Sequence, residues 1–515
     1  MVKKRFIVLR TAAFVLVASL CAVLSTSSSD SERTHPLQLV DKSTEWTAEE
    51  LQQNPNIIIV LSEAFWDPTQ IPGLKFSRDP IPTFHALQEK FTHGTMLSPQ
   101  YGGGTANVEL EVLSGNSMRF LPPDEIAYEK VIDHPVDSIA SILGRQGYKS
   151  TVISPFYNWY VNSVNVYKRF GFSHFIPLEF FDPDEYVGPY IGDHAVAKRI
   201  IEESKRSSGP DLIFANTMEN HYHYWANKFK RNSINIRGNM SDDAISILET
   251  YAQGASGADS MLKELVTYFG QLKEPTILVF FGDHLPHLET DYYVYQKSGY
   301  IQGPDDPNFL EKMHMVPLLV WNNYLTEGQE TLRMSPSFLS PYILKLAKLQ
   351  GSTYTDFLYN LSKKIPVIPP KNYYEAMKID ENDLVEYQER QQAILAKTEE
   401  TEDASQPYTI GYGDPVIESV SPDSLSVGEG LVADWIKSMT LLVKGGRFGQ
   451  GSVLYADGVP LPTVWQTEDS LSASLPKEMA ANLGALQLQV RVIDSQEHVL
   501  VQSPNYTLPI TPKKP

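Results

Sequence analysis

The sequence has almost no cysteine, and its single one, Cys21, lies in an apolar N-terminal segment where we interpret it as apolar filler. With no second thiol, an intrachain disulfide is excluded and the fold must be stabilised by its core. Positive charge is also scarce, since 43 Lys and Arg face 62 Asp and Glu for a net charge of −19. Nucleic-acid phosphates repel such a chain, which excludes nucleic-acid binding as a function class.

Long low-complexity tracts and internal repeats are absent too, so the 515 residues predict a globular protein of roughly two to three domains. The N-terminus carries basic residues at 3–5 and an apolar run over 12–24. This pattern predicts an export segment over residues 1–29, either a cleaved signal peptide or a single retained membrane anchor. Residues 30–54 are polar and predict a spacer between the membrane and a catalytic body on its extracellular face.

Five apolar runs, most of them rich in β-branched residues, have the pattern of strands buried on both faces of a parallel sheet. They are Asn56–Ser62, Tyr148–Ile153, Asp211–Thr217, Thr276–Phe281 and Val316–Trp321. Segments with helical features separate several of these runs, including residues 138–147, 191–204 and 241–269. Residues 55–398 are therefore predicted to form an α/β domain with a mostly parallel sheet flanked by helices.

Polar residues follow three of these strands directly. Glu63 comes after the first, the segment 217–221 with His221 ends the third, and Asp283 and His284 close the fourth. Ligands bind outside the carboxyl ends of the strands in such sheets, so we expect these side chains to converge on one edge. Carboxylate and imidazole ligands suit Mn²⁺, Mg²⁺ or Zn²⁺. Singly, Glu63 also fits a helix-cap carboxylate, and Asp283-His284 also fits an ordinary turn.

Thr105 follows three consecutive glycines and precedes a run with helical spacing that ends near Gly115. The glycines allow a tight turn or a close approach to a ligand. A threonine at this helix start is either a simple N-cap or a hydroxyl nucleophile, and unpaired N–H groups there favour negative charge. A metal that lowers the hydroxyl pKa would make Thr105 both nucleophile and fourth ligand beside Glu63, Asp283 and His284.

Four motifs in this order resemble those of the lipoteichoic acid synthase family, within the sulfatase/alkaline-phosphatase superfamily. They are residues 59–67, 101–107, 218–221 and 281–286, and the resemblance covers about residues 55–395. It implies an extracellular phosphotransferase that uses Mn²⁺ or Mg²⁺. Its threonine takes glycerophosphate from a lipid such as phosphatidylglycerol and passes it to an anionic envelope polymer. By motif position, Glu63, Thr105, Asp283 and His284 are metal ligands, Thr105 is the nucleophile, and His221 binds substrate and assists proton transfer.

The sequence departs from that family at two positions. Ser154 stands where the family has a histidine after the second strand, and Ser163 stands where it has an arginine that holds the glycerophosphate. Two further interpretations therefore stay open: a hydrolase of phosphodiesters or sulfate esters, and a non-catalytic binding protein of the cell envelope. The sulfatase alternative is disfavoured because the Cys/Ser-x-Pro-x-Arg sequence that is matured to formylglycine is absent at the nucleophile position.

Beyond residue 398 the character of the chain changes. Residues 399–413 are acidic and predict a flexible linker. Residues 414–515 contain short strands with turn signals and predict a small immunoglobulin-like β-sandwich. This segment resembles an IPT/TIG domain, which implies a role in binding a cell-wall polymer or in positioning the catalytic body.

Overall fold

The computed structural model describes residues 46–47, 50, 53–123, 125–326, 329–396, 407–427 and 438–512. The predicted export segment of residues 1–29 lies outside these residues, as do most of the predicted spacer and residues 399–406 of the predicted linker. Within the described residues, no helix is both long and apolar enough to span a membrane.

A nine-stranded sheet lies at the centre of the catalytic body. In chain order, its strands are β1 (Asn56–Ser62), β2 (Thr92–Leu97), β3 (Lys149–Ile153), β4 (His174–Ile176), β5 (Asp211–Asn216), β6 (Thr276–Gly282), β7 (Met315–Asn322), β8 (Thr331–Met334) and β9 (Thr409–Ile410). Their order across the sheet is β8-β2-β7-β6-β1-β5-β3-β4-β9. Only β7 runs antiparallel to its neighbours, which confirms the predicted mostly parallel sheet.

The strands predicted from the sequence are those at the centre of this sheet. Every residue of β1, β5 and β6 is buried, as expected for runs covered by helices on both faces. The strands that the sequence did not predict are β2, β4, β8 and β9. They are short or polar, and their pairing depends on the neighbour that each one meets. Gly94 of β2, for example, approaches β8 so closely that a Cβ there would lie 1.8 Å from the Leu332 carbonyl oxygen.

Twelve α-helices surround the sheet. They are α1 (Pro82–Gln88), α2 (Thr105–Ser114), α3 (Ala127–Lys130), α4 (Ile139–Gly144), α5 (Ser163–Arg169), α6 (Asp193–Ser204), α7 (Asp242–Gln271), α8 (Tyr293–Lys297), α9 (Phe309–His314), α10 (Leu339–Leu346), α11 (Thr353–Lys364) and α12 (Asn382–Leu395). This count refers to the described residues. The helices predicted near α2, α4, α6 and α7 are all present, with ends that differ by a few residues.

The predicted linker over residues 399–413 is wrong at its C-terminal end. Thr409–Ile410 form β9, which pairs in parallel with β4 at the edge of the sheet. The Tyr408 hydroxyl donates to the Val164 carbonyl at 2.8 Å, and the Tyr412 hydroxyl donates to the Phe180 carbonyl at 2.9 Å. These two tyrosines fix the segment on the catalytic body, so it is not a free tether.

The C-terminal segment forms two further β-sheets, of four and six strands. Their inward-facing side chains make a hydrophobic cluster of their own, which includes Leu441, Leu454, Leu471 and Leu488. Buried residues alternate with less buried ones along Ser470–Pro476 and Gly484–Ile493, which produces this arrangement. We call residues 414–512 the C-terminal β module. The β architecture agrees with the prediction, while the likeness to an IPT/TIG domain stays a prediction.

Candidate functional site

The turn before α2 needs its three glycines. Gly102, Gly103 and Gly104 have φ angles of +66°, +151° and +88°, which L side chains rarely adopt. A Cβ on Gly104 would lie 2.4 Å from the Gln100 amide oxygen. The turn delivers Thr105 to the first residue of α2, where unpaired backbone N–H groups favour an anion. The structure thus places Thr105 where the sequence predicted it.

Glu63, Asp283 and His284 come together at the carboxyl ends of two adjacent strands. Strands β1 and β6 pair in register, with Ser62 opposite Gly282, so the residues that follow lie side by side. The three are the one group among the described residues that could hold a metal ion, with ligand atoms within 4.8 Å of one another. The Thr105 hydroxyl joins them by donating to Asp283 Oδ2 at 2.7 Å.

The free atoms of this group fit a divalent cation. The Nδ1 of His284 lies 3.0 Å from the Leu285 carbonyl oxygen, which can only accept, so Nδ1 carries the proton. Nε2 is therefore left with a lone pair, and it is buried with no hydrogen-bond partner. It lies 3.2 Å from Asp283 Oδ2 and 3.7 Å from Glu63 Oε1. The other carboxylate oxygen, Asp283 Oδ1, is already used by the N–H groups of Ala64 and His284.

The two buried carboxylates of Glu63 and Asp283 also favour the binding of a positive charge. Burial, followed by the neighbouring Asp283 carboxylate, raises the pKa of Glu63 to about 8. Glu63 is only 4% exposed and Asp283 is fully buried, so water cannot stabilise two carboxylates there. A bound cation removes that penalty. Oxygen-rich ligands with one imidazole suit Mn²⁺ or Mg²⁺, so the residues fit the metal that the sequence predicted.

His221 lies beside this group, after the end of β5. Its Nδ1 is 2.9 Å from the Tyr222 carbonyl oxygen and 3.2 Å from the Tyr190 hydroxyl, which leaves Nε2 as the nitrogen able to accept a proton. Burial lowers the pKa of His221 and favours the neutral imidazole. The Lys228 ammonium donates to the His221 carbonyl at 2.6 Å and fixes this segment.

Lys228 and Tyr190 are site residues that the sequence analysis missed. Lys228 is 6% exposed, and burial lowers its pKa to about 8, although the Glu63 carboxylate acts in the opposite direction. Tyr190 lies on a two-stranded ribbon, Tyr186–Val187 with Tyr190–Ile191. The sequences around both residues have no strand or helix pattern, so no sequence signal indicated them. Thr217 belongs to the predicted segment 217–221, where the sequence assigns it no role. In the structure, Thr217 Oγ1 accepts a hydrogen bond from the Glu63 N–H at 3.1 Å.

The carboxylates on α2 hold the helix in place. Glu109 accepts from the hydroxyls of Tyr128 and Tyr167 at 2.7 and 2.8 Å, and from Asn216 Nδ2 at 2.8 Å. Since Asn216 ends β5, this network ties α2 to the same sheet edge that carries Glu63, Asp283 and His284. Glu111 accepts from the Met118 N–H at 2.7 Å. These contacts of Glu109 and Glu111 fix the position of α2, and with it that of Thr105 at the start of the helix.

The positions where the sequence departs from the family motifs carry no positive charge here. The Ser154 N–H donates to the Ile176 carbonyl at 3.0 Å, and the Ser163 hydroxyl donates to the Tyr160 carbonyl at 2.6 Å. Arg169 points elsewhere, because its guanidinium donates to the Ile132 carbonyl at 2.6 Å. What stands in this region instead is a run of aromatic residues over 156–160.

Comparison with known proteins assigns the class. Residues 55–349, more than half of the chain, match the family described as Sulfatase, and the chain belongs to that family. A cyclic beta-1,2-glucan modification protein of Rhizobium meliloti is 39% identical over 311 residues, which are 59% of this chain and 47% of that protein. A lipoteichoic acid synthase of Staphylococcus aureus is 25% identical over 38% of this chain and 30% of its own length. The chain thus spans about half or less of the curated relatives it matches.

Among solved structures, the phosphoglycerol transferase GacH of Streptococcus pyogenes, in complex with sn-glycerol-1-phosphate, has a similar fold. The TM-score is 0.55 and the identity 23%, covering 69% of this chain and 95% of that one. This likeness confirms the predicted fold class of the catalytic body. The sn-glycerol-1-phosphate in that structure is bound to that protein.

Proposed function

We propose that this protein is an extracellular metal-dependent phosphotransferase whose Thr105 takes a glycerophosphate group from a lipid such as phosphatidylglycerol and passes it to an envelope polymer. The observation that carries the proposal is the position of the Thr105 hydroxyl. It lies in the first turn of a helix, 2.7 Å from Asp283, beside a buried Glu63–Asp283–His284 group that fits a divalent cation.

The reaction is a double displacement at phosphorus. The Thr105 Oγ1–phosphorus bond forms as the bond from phosphorus to the diacylglycerol oxygen breaks, and that oxygen takes up the proton lost by Thr105. A hydroxyl of the acceptor then attacks phosphorus, the Thr105 ester bond breaks, and Thr105 recovers a proton. The cation, held by Glu63, Asp283, His284 and Thr105, would lower the hydroxyl pKa and balance phosphate charge.

The protein's own residues support these steps. The unpaired N–H groups at the start of α2 would stabilise negative charge on phosphate oxygens bound there. The free Nε2 of His221, a neutral imidazole, accepts and returns the proton. Lys228 adds positive charge near the phosphate, and its contact with the His221 carbonyl keeps the imidazole in place.

The acceptor we favour is a saccharide polymer of the envelope. The 39% identical relative is described as a cyclic beta-1,2-glucan modification protein, which supports a glucan. A second candidate is a polyglycerolphosphate chain, supported by the 25% identical lipoteichoic acid synthase and by the sequence motifs. The pocket residues weigh against the second candidate, because Ser154 and Ser163 supply no positive charge for a polyanion.

Release of diacylglycerol tests the nucleophile. The full chain would be incubated with Mn²⁺ and vesicles of fluorescent phosphatidylglycerol, and then with cyclic β-1,2-glucan or polyglycerolphosphate. Thr105→Ala should lower release by at least about 10³-fold, as for other removed nucleophiles. Thr105→Ser should retain part of the activity. Thr440→Ala, an exposed threonine in the C-terminal β module, is the matched control. Release that is absent in the wild type, or equal in Thr105→Ala, would refute the assignment.

A further inference from the structure

Exposed aromatic side chains cluster in three segments next to the candidate site. Within the described residues, the most exposed Phe, Tyr and Trp side chains are Tyr160, Tyr186 and Trp225, at 50%, 42% and 61%. All three belong to segments that follow β3, precede α6 or follow β5. An exposed aromatic cluster of this kind marks a ligand-binding surface. We call it the aromatic rim, made of Tyr157, Trp159, Tyr160, Tyr186, Tyr190, Tyr222, His223 and Trp225.

The rim reaches the reactive residues directly. The Tyr190 ring lies 5.3 Å from the His221 ring, and its hydroxyl is 3.2 Å from His221 Nδ1. Burial raises the pKa of Tyr190, and the carboxylate of Glu63 and the hydroxyl of Tyr157 raise it further. On the other side, the Tyr222 ring lies 4.7 Å from the His287 ring, which contacts the glycine turn before Thr105.

The shape of the rim suits flat, uncharged rings. Tyr157 and Trp159 stack with centroids 5.2 Å apart and an interplanar angle of 18°. His223 and Trp225 stack at 4.6 Å and 6°. Such stacks present broad ring faces with negative quadrupole charge. A pyranose ring turns a face of slightly positive C–H groups toward a partner, so sugar rings fit these faces.

The charge of the rim excludes a polyanion as its preferred ligand. Residues 156–160, 186–190 and 222–225 contain no Lys or Arg. The nearby Lys228 ammonium is buried and already donates to the His221 carbonyl. A chain of phosphates would need several cations along this surface. A neutral saccharide needs ring faces and hydrogen-bonding hydroxyls, and the rim offers both.

The C-terminal β module supports one wall of the rim. The Trp159 indole N–H donates to the Ser495 hydroxyl at 3.0 Å. Asn158 Nδ2 lies between two carboxylates, 3.2 Å from Glu179 and 3.3 Å from Asp494. Asp494 and Ser495 belong to the turn after Gly484–Ile493. These contacts with the module therefore fix residues 158–159 in the catalytic body.

We propose that the aromatic rim binds the sugar rings of a neutral glucan acceptor and presents one of its hydroxyls to the phosphorylated Thr105. The proposal rests on the proposed function, and it names the acceptor subsite of that reaction. Stacked rings fix the sugar plane, and the braced segment 156–160 fixes the distance of that plane from Thr105. The C-terminal β module acts here as a positioning element.

Saccharide binding can be measured without catalysis. The full chain carrying Thr105→Ala would be titrated with a neutral β-1,2-glucan oligosaccharide by calorimetry in the presence of Mn²⁺. Trp225→Ala and Tyr160→Ala should each weaken binding about ten-fold, the loss expected for one stacked ring. Trp225→Phe and Tyr160→Phe should restore most of it. Tyr359→Ala is the matched control, because Tyr359 is partly exposed on α11, which contacts the far end of α2 at Gly115.

The outcomes separate this proposal from the proposed function. Glucan binding that is unchanged in Trp225→Ala and Tyr160→Ala overturns the rim, as does the absence of glucan binding by protein whose circular dichroism is native. Binding of polyglycerolphosphate in preference to the glucan also overturns it. If the rim variants lose glucan binding while the wild type releases no diacylglycerol, the rim stands and the lipid-dependent reaction fails.

Discussion

Glu179 offers a prediction about the contact between the catalytic body and the C-terminal β module. It is 6% exposed, its Oε1 accepts from Asn158, and its Oε2 is buried with no hydrogen-bond partner. Its backbone carbonyl accepts from the Gly451 N–H of the module at 3.3 Å. Burial is the main reason that the pKa of Glu179 rises from 4.5 to about 7, and Asp494 adds to the rise.

The sign follows from proton linkage. A carboxyl group whose pKa is higher in the folded state binds its proton more tightly there, so its contribution to stability is complete below pH 4.5. That contribution is lost as the pH rises through about 7. The difference between 4.5 and about 7 is about 2.5 pH units, which corresponds to about 3 kcal/mol at most. Glu179→Gln keeps a side-chain oxygen that accepts from Asn158 Nδ2, and it removes the charge.

We expect Glu179→Gln to raise the free energy of unfolding by about 2–3 kcal/mol at pH 8.5 and by less than about 1 kcal/mol at pH 5. Urea unfolding of the full chain, followed by tryptophan fluorescence, measures both values. Glu389→Gln on the exposed face of α12 is the control and should change neither value by more than about 0.5 kcal/mol. An equal effect of Glu179→Gln at both pH values, or a loss of stability at pH 8.5, would refute the reasoning.

Three other predictions concern the site. Thr217→Val removes the acceptor of the Glu63 N–H, and we expect Mn²⁺ affinity, measured by calorimetry, to fall about 10–100-fold; unchanged affinity would show that Thr217 does not orient Glu63. Gly104→Ala forces a Cβ to 2.4 Å from Gln100 at φ +88°, whereas Gly147→Ala, at φ +85°, meets nothing within 4 Å. The first should lower diacylglycerol release far more than the second, and equal losses would mean that backbone strain alone is responsible. Chelation followed by Mn²⁺ at 100 times its Kd should raise the free energy of unfolding by about 2.7 kcal/mol, and Asp283→Asn should abolish most of that gain.

The sequence by itself determined the central strands, the start of α2 and the convergence of Glu63, Asp283 and His284 at the strand ends. The run Asn56–Ser62 is buried on both faces, so its five central residues are all apolar and the pattern is visible locally. Likewise, three glycines with positive φ leave a clear signature before Thr105. Because parallel strands end at one edge, the rule about carboxyl ends was enough to bring Glu63, Asp283 and His284 together.

The tertiary structure alone decided the outer strands and the rest of the site. Strands β2, β4, β8 and β9 are short or polar, and hydrogen bonds to a neighbour stabilise them, which no single segment reveals. Lys228 and Tyr190 acquire their roles through burial beside His221 and Glu63. The aromatic rim was also beyond sequence reasoning, because its segments are far apart in the chain. Exposure and proximity are properties of the packed chain, and for these residues they arise from contacts between distant segments.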